Sequence, residues 1–413
     1  MHRSKMSNSV LFGFCTFLDA RKAFDRVQYC KLFRLLIKRG LPAFVVRLVI
    51  HLYIGHAIRV SWCGLASEFF VAHNGVKQGG VASPVLFCIY IDDLLVRLAQ
   101  SGVGCFIGFN FVGALAYADD IVLIAPTPSA MRQLLLICDM YAVEYDIMFN
   151  ANKSKFMYFG AQNRRSLHNA MKECIFEIGG NRILRVDSFS HLGHIITSNL
   201  NDYEDILQKR NCFIGQVNNV LCFFKQLNCA TKIELFKSYC SSIFGSELWS
   251  LDDPGIEVFC VAWRKGLRRV MCLPPATHCY LLPLLSGTLP IFAEICKRSA
   301  RFVLSCLFSR SSLVRSITRH GIAARYDSVT GRNALVCCKW FDWSLTEFIH
   351  GTLSLSNTYF RQHFLNKITD AQRQSELFVH ELLDLREHSS ILTNGVTLLR
   401  SEIDSFIASV CCT

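Results

Sequence analysis

Three aspartates occupy positions from which they could hold metal ions. Asp19 directly follows an apolar run of strand length, residues 9–18, and Asp119 and Asp120 interrupt a second apolar, β-rich stretch. Adjacent carboxylates in apolar surroundings are unfavourable unless a cation lies between them, and Mg²⁺ prefers carboxylate oxygens. Two such ions about 3.5–4 Å apart can catalyse phosphoryl transfer. A single acid at a strand end is more often a solvated cap, so these residues alone leave both interpretations open.

The elements around these aspartates predict a domain of strands and helices. An amphipathic segment runs from Lys22 to Arg39 and ends before Gly40. The later pattern predicts a hairpin over 58–71, a helix from Ser83 to about Ala99, a hairpin within 109–125 that carries the acids at its tip, a helix from Ser129 to Tyr145 and a strand over 156–159. This order predicts an α+β fold with helices on one face of an antiparallel sheet. The pattern predicts two or three helices within residues 203–247 and a mostly helical structure for the residues that follow.

Composition favours a folded, basic protein. Hydrophobic residues make up 51% of the 413 residues, and 44 lysines and arginines against 32 aspartates and glutamates give a formal charge of +12. This excess suits a polyanionic partner such as nucleic acid, although a generally soluble basic surface is the simpler alternative. Acidic pairs at Asp92-Asp93 and Asp119-Asp120 interrupt the two most apolar stretches. We therefore predict no transmembrane helix and no membrane partner.

Five segments resemble, in order, the motifs of non-LTR (LINE-type) retrotransposon reverse transcriptases. Residues 17–27 (FLDARKAFDRV) resemble motif A, residues 74–87 (NGVKQGGVASPVLF) resemble motif B, and residues 117–120 (YADD) resemble motif C. Residues 150–155 (NANKSK) are similar to motif D. Residues 191–196 (HLGHII) are similar to motif E, with histidine in place of the commoner tyrosine. The resemblance extends over about residues 9–250, and its five ordered motifs make it specific.

The resemblance implies a right-hand polymerase fold in three parts. Residues 1–160 would form the palm with motifs A–D, residues 161–250 a primer-grip-like turn and a helical thumb, and residues 251–413 a helical C-terminal region without an assigned role. Enzymes of this family carry a fingers region upstream of motif A, and we recognise none of it before Asp19. We therefore expect a truncated chain, and its activity in isolation is left open.

The resemblance also assigns catalytic roles residue by residue. Asp19, Asp119 and Asp120 would hold two Mg²⁺ ions, for which Mn²⁺ could substitute, with Asp120 as the auxiliary ligand. Lys153 would be a general acid that protonates the departing pyrophosphate, and its alternative is an ordinary surface lysine. Asp25 is expected to be structural and to pair with a neighbouring basic residue, Arg26 or Lys22.

Further residues would contact the substrates. Phe24 would be a steric gate against a 2′-hydroxyl, with an ordinary core phenylalanine as the alternative. Gln78 and Gly79 would lie against the template and the nascent base pair. The backbone of Leu192 and Gly193 would grip the primer. The pair Asp92-Asp93 is expected on an exposed helix face rather than in a second metal site.

The implied activity is that of an RNA-directed DNA polymerase. Its partners would be an RNA template, a DNA primer or RNA–DNA hybrid and dNTPs, and its location would be intracellular, in the nucleus, the cytoplasm or both. Two alternatives stay open: a catalytically dead, nucleic-acid-binding remnant, and a group II intron or retron-type enzyme, which shares YADD. The forms of motifs A and B favour the LINE type. A purely structural helical protein would leave five ordered motifs to coincidence.

Overall fold

The computed structural model describes residues 13–160, 174–279 and 281–340, together with residues 344 and 366. The chain divides into two compact units, Met1–Asn201 and Asp202–Thr413. The predicted primer-grip turn belongs to the first unit, and the functional division at residues 160 and 250 stays a prediction. Among the described residues, no helix is both long and apolar enough to cross a bilayer.

A five-stranded sheet forms the centre of the described part of the first unit. Its order is β13-β10-β1-β9-β8, and its strands are β1 (Gly13–Asp19), β8 (Ala114–Tyr117), β9 (Asp120–Ala125), β10 (Lys155–Phe159) and β13 (Leu184–Arg185). Strands β10, β1, β9 and β8 are antiparallel neighbours in that order, as predicted. Strand β13 adds a parallel partner to β10. Alternate residues of β1 face opposite sides: Phe14 and Leu18 join the large core, and Cys15 and Phe17 join a smaller one.

Helices cover the large-core side of this sheet. Within residues 13–160 they are α1 (Tyr29–Lys38), α2 (Ala43–Tyr53), α3 (Ser83–Gln100) and α4 (Pro128–Tyr145). Pro84 and Pro128 stand in the first turns of α3 and α4, where the missing amide of proline leaves no hydrogen bond unmade. The predicted α+β arrangement, with helices on one face of the sheet, is confirmed.

Short two-stranded ribbons complete the described part of this unit. They pair β2 (Ala57–Ile58) with β5 (Phe70–Val71), β3 (Ser61–Trp62) with β4 (Leu65–Ala66), β6 (Phe106–Ile107) with β7 (Asn110–Phe111), β11 (Glu177–Ile178) with β12 (Asn181–Arg182), and β14 (Ser188–His191) with β15 (His194–Thr197). Phe189 and Ile196 of the last hairpin pack against the smaller core on the side of the sheet opposite the helices. This hairpin therefore covers the face that the helices leave open.

The first helix begins later than the sequence predicts. Its amphipathic pattern starts at Lys22, but α1 is preceded by a 3₁₀ turn and two extended residues, Val27 and Gln28. The carbonyl of Phe24 accepts a 2.7 Å hydrogen bond from the amide of Val76, and the carbonyl of Val27 accepts a 2.9 Å bond from the amide of Gly75. These long-range bonds take the acceptors that a continuous helix would use, so the segment after β1 is tied to the loop before α3.

The second unit is helical in its described part, as predicted. Its helices are α5 (Tyr203–Phe223), α6 (Cys229–Leu235), α7 (Gly255–Val270), α8 (Leu281–Ser286), α9 (Ile291–Leu307), α10 (Ser312–Ala323) and α11 (Val329–Trp340). A buried polar network joins distant segments of it. The indole Nε1 of Trp249 donates a 2.7 Å bond to Oδ2 of Asp205. The side-chain amide of Asn333 donates to the carbonyl of Trp249 at 2.7 Å and accepts from the amide of Leu251 at 2.8 Å.

Candidate active site

Two of the predicted catalytic aspartates are direct partners across the sheet. Asp19 ends β1, Asp120 begins β9, and the antiparallel register pairs the two residues with each other. A two-residue turn, Ala118–Asp119, joins β8 to β9, and Ala118 adopts the left-handed conformation with φ 54°. The predicted hairpin with acids at its tip is confirmed. The pairing brings two acids that are 101 positions apart in sequence to the same end of the sheet.

The three carboxylates interact electrostatically. Burial raises the pKa of Asp120, and the negative charges of Asp119 and Asp19 raise it further, while His191 opposes the rise. Burial lowers the pKa of His191, and the charge of Asp120 acts in the opposite direction. A carboxyl whose ionised form is disfavoured by both burial and neighbouring anions is one that a divalent cation would stabilise.

The loop before β10 holds the end of β1 in place. The amide of Asp19 donates a 3.2 Å hydrogen bond to Oγ of Ser154, which is fully buried. The carbonyl of Asp19 accepts a 2.8 Å bond from the amide of Asn150, and the amide of Ser154 donates to the carbonyl of Asn150 at 2.8 Å. These bonds fix the backbone of Asp19 and set the position of Lys153, whose exposed side chain lies within the same loop.

A cleft of about 320 Å³ opens beside this pair. Its lining includes Asp19, Asp120, Lys153, His191 and Leu192. The lining therefore contains a residue from each of the segments that resemble motifs A, C, D and E. It also contains His191, the histidine that replaces the commoner tyrosine of motif E.

The β14–β15 hairpin forms one wall of the cleft. Phe189 stacks on Phe17 of β1 with ring centroids 4.6 Å apart, which packs the hairpin under the sheet. Its turn consists of Leu192 and Gly193, with φ 49° and 79°, and His191 pairs with His194 across it. Positive φ at both central residues is typical of a type I′ turn, the tight turn that matches strand twist. The predicted primer-grip segment is thus a rigid two-residue turn at the cleft.

Comparison with known proteins identifies the domain. Residues 9–196 match the family model described as "Reverse transcriptase (RNA-dependent DNA polymerase)". The chain is 31% identical over 179 residues to the "Retrovirus-related Pol polyprotein from type-2 retrotransposable element R2DM" of Drosophila melanogaster. This match covers 43% of this chain and 17% of the relative. It is 26% identical over 235 residues to the "RNA-directed DNA polymerase from mobile element jockey" of Drosophila funebris. This match covers 54% of this chain and 24% of the relative. Residues 9–196 thus match a reverse transcriptase domain and are similar to proteins of non-LTR retrotransposons.

The matching family and the jockey relative are described as RNA-dependent or RNA-directed DNA polymerases, which are nucleotidyltransferases. The chain spans about a fifth of the length of these relatives. Among solved structures, telomerase from Candida tropicalis in complex with a fragment of telomeric RNA is similar over 87% of this chain and 50% of that chain, with 10% identity. The TM-score of this match is 0.38.

Reverse transcriptases generally use divalent metal ions, and the donors at this cleft fit that chemistry. Among the described residues, no group of three or more histidine, cysteine, aspartate or glutamate side chains is arranged to hold one ion. Mg²⁺, however, is usually held by one or two carboxylates completed by substrate phosphates and water rather than by an all-protein cage. The paired Asp19 and Asp120 are such carboxylates, and Asp119 adjoins them in the turn.

The predicted substrate contacts of reverse transcriptase motifs A and B lie outside the cleft lining. Phe24 is partly buried and stacks on Phe87 of α3, with ring centroids 4.8 Å apart. Gln78 is exposed and donates a 3.3 Å hydrogen bond to Oδ1 of Asp25. Gly79 adopts φ 81° with open space where a Cβ would stand. Their predicted roles in substrate binding stay predictions.

Two expectations about acidic residues are corrected. Arg26 does not pair with Asp25; its guanidinium binds the carboxylate and carbonyl of Asp146 at the end of α4, because the turn after β1 points it there. Asp92 and Asp93 do not lie on a freely exposed helix face. Asp93 pairs with Lys38 at 3.0 Å and with Arg97 at 3.2 Å, and Asp92 pairs with Arg39. They join α3 to the C-terminal end of α1.

Sequence reasoning assigned no role to three contributors to the site. Ser154 lies inside the quoted motif D segment, but its burial under Asp19 has no local signal. Phe189 belongs to a short strand whose partner, Phe17, is far away in sequence. His191 was noted as a departure from the commoner tyrosine, and that departure was the available signal for it.

Proposed function

We propose that the reverse transcriptase domain extends a DNA primer on an RNA template by two-metal-ion nucleotidyl transfer at the cleft between Asp19 and Asp120. One observation carries the proposal: the direct cross-strand pairing of these two acids beside a cleft that Lys153 and Leu192 also line. A purely structural sheet end would not need half-buried, mutually repelling carboxylates beside a cleft.

Asp19, Asp119 and Asp120 would hold two Mg²⁺ ions, or Mn²⁺ in their place. When bound, such ions activate the attacking 3′-hydroxyl and neutralise the triphosphate. The chain's own residues orient the ligands: Ser154 and Asn150 hold the backbone of Asp19 through both its amide and its carbonyl. A fixed ligand backbone lowers the cost of assembling the site each time substrate binds.

Lys153 would supply the proton to the departing pyrophosphate. Its side chain lies at the cleft, and its ammonium group carries protons to donate toward an accumulating negative charge. Leu192 and Gly193 would contact the primer through their backbone, since a tight turn exposes amide and carbonyl groups without a bulky side-chain screen.

The remaining contacts would select the nucleotide and template. Phe24, held against Phe87, would limit space under the incoming sugar and so favour dNTPs. Gln78 and Gly79 would lie against the template and nascent base pair, where an exposed amide and an unobstructed backbone allow close approach. We also propose an intracellular location, in the nucleus or cytoplasm, because RNA templates are found there.

Primer extension on an RNA template with Mg²⁺ and dNTPs tests the proposal. The full chain is compared with Asp119→Ala, each with and without a separately supplied fingers fragment. We expect extension by the unaltered chain and its loss in the variant. No extension in any arm, with RNA–DNA hybrid binding retained, would instead support a nucleic-acid-binding remnant.

A further inference from the structure

Asp25 lies in the turn that follows β1, and its side chain is exposed. Its carboxylate Oδ1 accepts a 3.3 Å hydrogen bond from Nε2 of Gln78, in the loop before α3. Within the part of the chain that the structure describes, no other side chain bonds to this carboxylate or forms an ion pair with it. The acid therefore has one partner, and that partner is a proposed substrate contact.

Backbone contacts hold the two loops together independently of this bond. The amide of Val76 donates to the carbonyl of Phe24 at 2.7 Å. A Cβ added at Gly75 would stand 2.9 Å from the carbonyl oxygen of Asp25 and 3.0 Å from its Cα, so glycine allows the two main chains to touch. The amide of Asp25 also donates to the carbonyl of Lys22 at 3.0 Å. The carboxylate thus extends from a backbone that is held on both sides.

The backbone beside Gln78 is held as well. The carbonyl of Lys77 accepts a 3.0 Å hydrogen bond from the amide of Gly80 and a 2.5 Å bond from Oγ of Ser83. The side chain of Gln78 is exposed and has several rotatable bonds, so the direction of its amide depends on those bonds and on Asp25. A flexible side chain that must be ordered on binding lowers affinity, and a partner that orders it beforehand raises affinity.

A carboxylate also decides which end of the amide faces it. An ionised carboxylate accepts hydrogen bonds and donates none, so the NH₂ group of Gln78 must point toward Asp25. The amide oxygen and the second N–H then stay available to a bound nucleic acid strand. Without this partner the amide could rotate and exchange its donor and acceptor ends.

Charge alone disfavours an acid at this place. Nucleic acid strands and dNTPs are polyanions, and an exposed carboxylate close to them lowers their affinity. If Asp25 contributed only its charge, its removal would tighten the binding of a nucleic acid. If it positions Gln78, its removal weakens that binding. The two roles therefore predict effects of opposite sign.

We propose that Asp25 is a positioning residue, which holds the side-chain amide of Gln78 in the orientation that contacts an RNA–DNA hybrid. The inference rests on the proposed function for the contact between Gln78 and the template. It gives Asp25 a role beyond the structure of its own turn, because its carboxylate acts through a side chain of the next loop.

Fluorescence anisotropy of a labelled RNA–DNA hybrid with a single-stranded RNA template end, bound to the full chain, tests the inference. Asp25→Ala should weaken the affinity about fivefold, the effect of one hydrogen bond. Asp25→Asn removes the same charge but keeps an oxygen that accepts from Gln78, so it should bind at least as tightly as the unaltered chain. Gln78→Ala should weaken binding, and Asp25→Ala added to it should cause no further loss.

Glu177→Ala is the matched control, since Glu177 is an exposed acid of the same unit outside both loops. It measures the effect of removing one negative charge and should not weaken binding. Thermal unfolding verifies that each variant is folded. Unchanged or tighter binding by Asp25→Ala overturns the inference. Equal losses in Asp25→Ala and Asp25→Asn, or additive losses in the double variant, also overturn it.

The same assay separates this inference from the polymerase proposal, because binding requires no catalysis. If Gln78→Ala weakens binding and Asp25→Ala does not, the template contact stands and the positioning role fails. If Gln78→Ala binds as the unaltered chain does, the proposed template contact is absent and the inference fails with it. If the affinities change as expected but no primer is ever extended, the positioning role stands and the polymerase proposal fails.

Discussion

The amide of Asp19 donates a hydrogen bond to Oγ of Ser154, 135 positions later in the chain. Ser154 is fully buried and touches no solvent. The bond gives the amide of Asp19, the last residue of β1, an acceptor that it would otherwise lack. It thereby fixes the backbone of a proposed metal ligand at the end of the sheet.

Ser154→Ala should lower both stability and activity. The substitution leaves the Asp19 amide without its acceptor, which we expect to cost roughly 1–3 kcal/mol of unfolding free energy. Denaturant unfolding measures this loss, and single-nucleotide incorporation should show a lower kcat with unchanged hybrid affinity. Ser129→Ala, at an exposed position in the first turn of α4, is the control. Equal effects of the two substitutions would mean that the buried bond contributes nothing.

Gly75→Ala tests whether the close approach of Gly75 to the turn after β1 requires glycine, beyond the strain of its positive φ. A Cβ at Gly75 would stand 2.9 Å from the carbonyl oxygen of Asp25 and 3.1 Å from that of Phe24, and the residue adopts φ 92°. We expect a loss of roughly 2–5 kcal/mol, from left-handed strain plus overpacking. Gly64→Ala shares the positive φ, 81°, but has open space around its Cβ.

Denaturant unfolding of both variants distinguishes the two causes. The control should lose only roughly 1–2 kcal/mol, the strain of the left-handed conformation alone. Similar losses for Gly64→Ala and Gly75→Ala would show that the close approach to the turn after β1 is not what requires glycine there.

Asp202 in the second unit should make stability fall as pH rises. Burial raises the pKa of its carboxyl above the ordinary 3.8, and the charges of Asp253 and Asp205 raise it further, against the opposing hydrogen bond from the amide of Ser250. The folded protein thus binds more protons than the unfolded chain between pH 3.8 and the raised value, so stability declines across that window. Asp202→Asn should remove the decline and be more stable at neutral pH.

Asp252 provides the control of opposite sign. The hydroxyl of Ser250 donates to its carboxylate at 2.5 Å, and Arg332 lies 2.9 Å away; both lower the pKa of Asp252. Its contribution is present above pH 3.8 and is lost as pH falls through the lowered pKa, so Asp252→Asn should be less stable at neutral pH. Thermal unfolding between pH 3 and 7 checks both signs, and shifts in the same direction would contradict this account.

Local pattern was sufficient to predict most of the elements around the site. The hairpin at Asp119–Asp120, the helix at Ser83 and the tight turn at Leu192 depend on periodicity, proline and glycine, which act over a few residues. The predicted α+β class followed from their order.

Contacts between distant segments could not be predicted in the same way. The pairing of Asp19 with Asp120 depends on the register of two strands that are far apart in sequence, and nothing local specifies that register. The burial of Ser154 follows from the fold of the loop beneath β1. The later start of α1 and the pairing of Arg26 with Asp146 likewise depend on partners more than 45 residues away.

Single-nucleotide incorporation opposite an RNA template, with Mg²⁺, tests the central claim most directly when Asp120→Asn is compared with Asp93→Asn. Both are half-buried aspartates that directly follow a second aspartate, but Asp93 is neutralised by Lys38 and Arg97 and lies outside the cleft. We predict at least a roughly 100-fold loss for Asp120→Asn, because metal-ion catalysis supplies several kcal/mol, and a change within about threefold for Asp93→Asn. Equal activity of the two variants would contradict a catalytic centre at the Asp19–Asp120 pair.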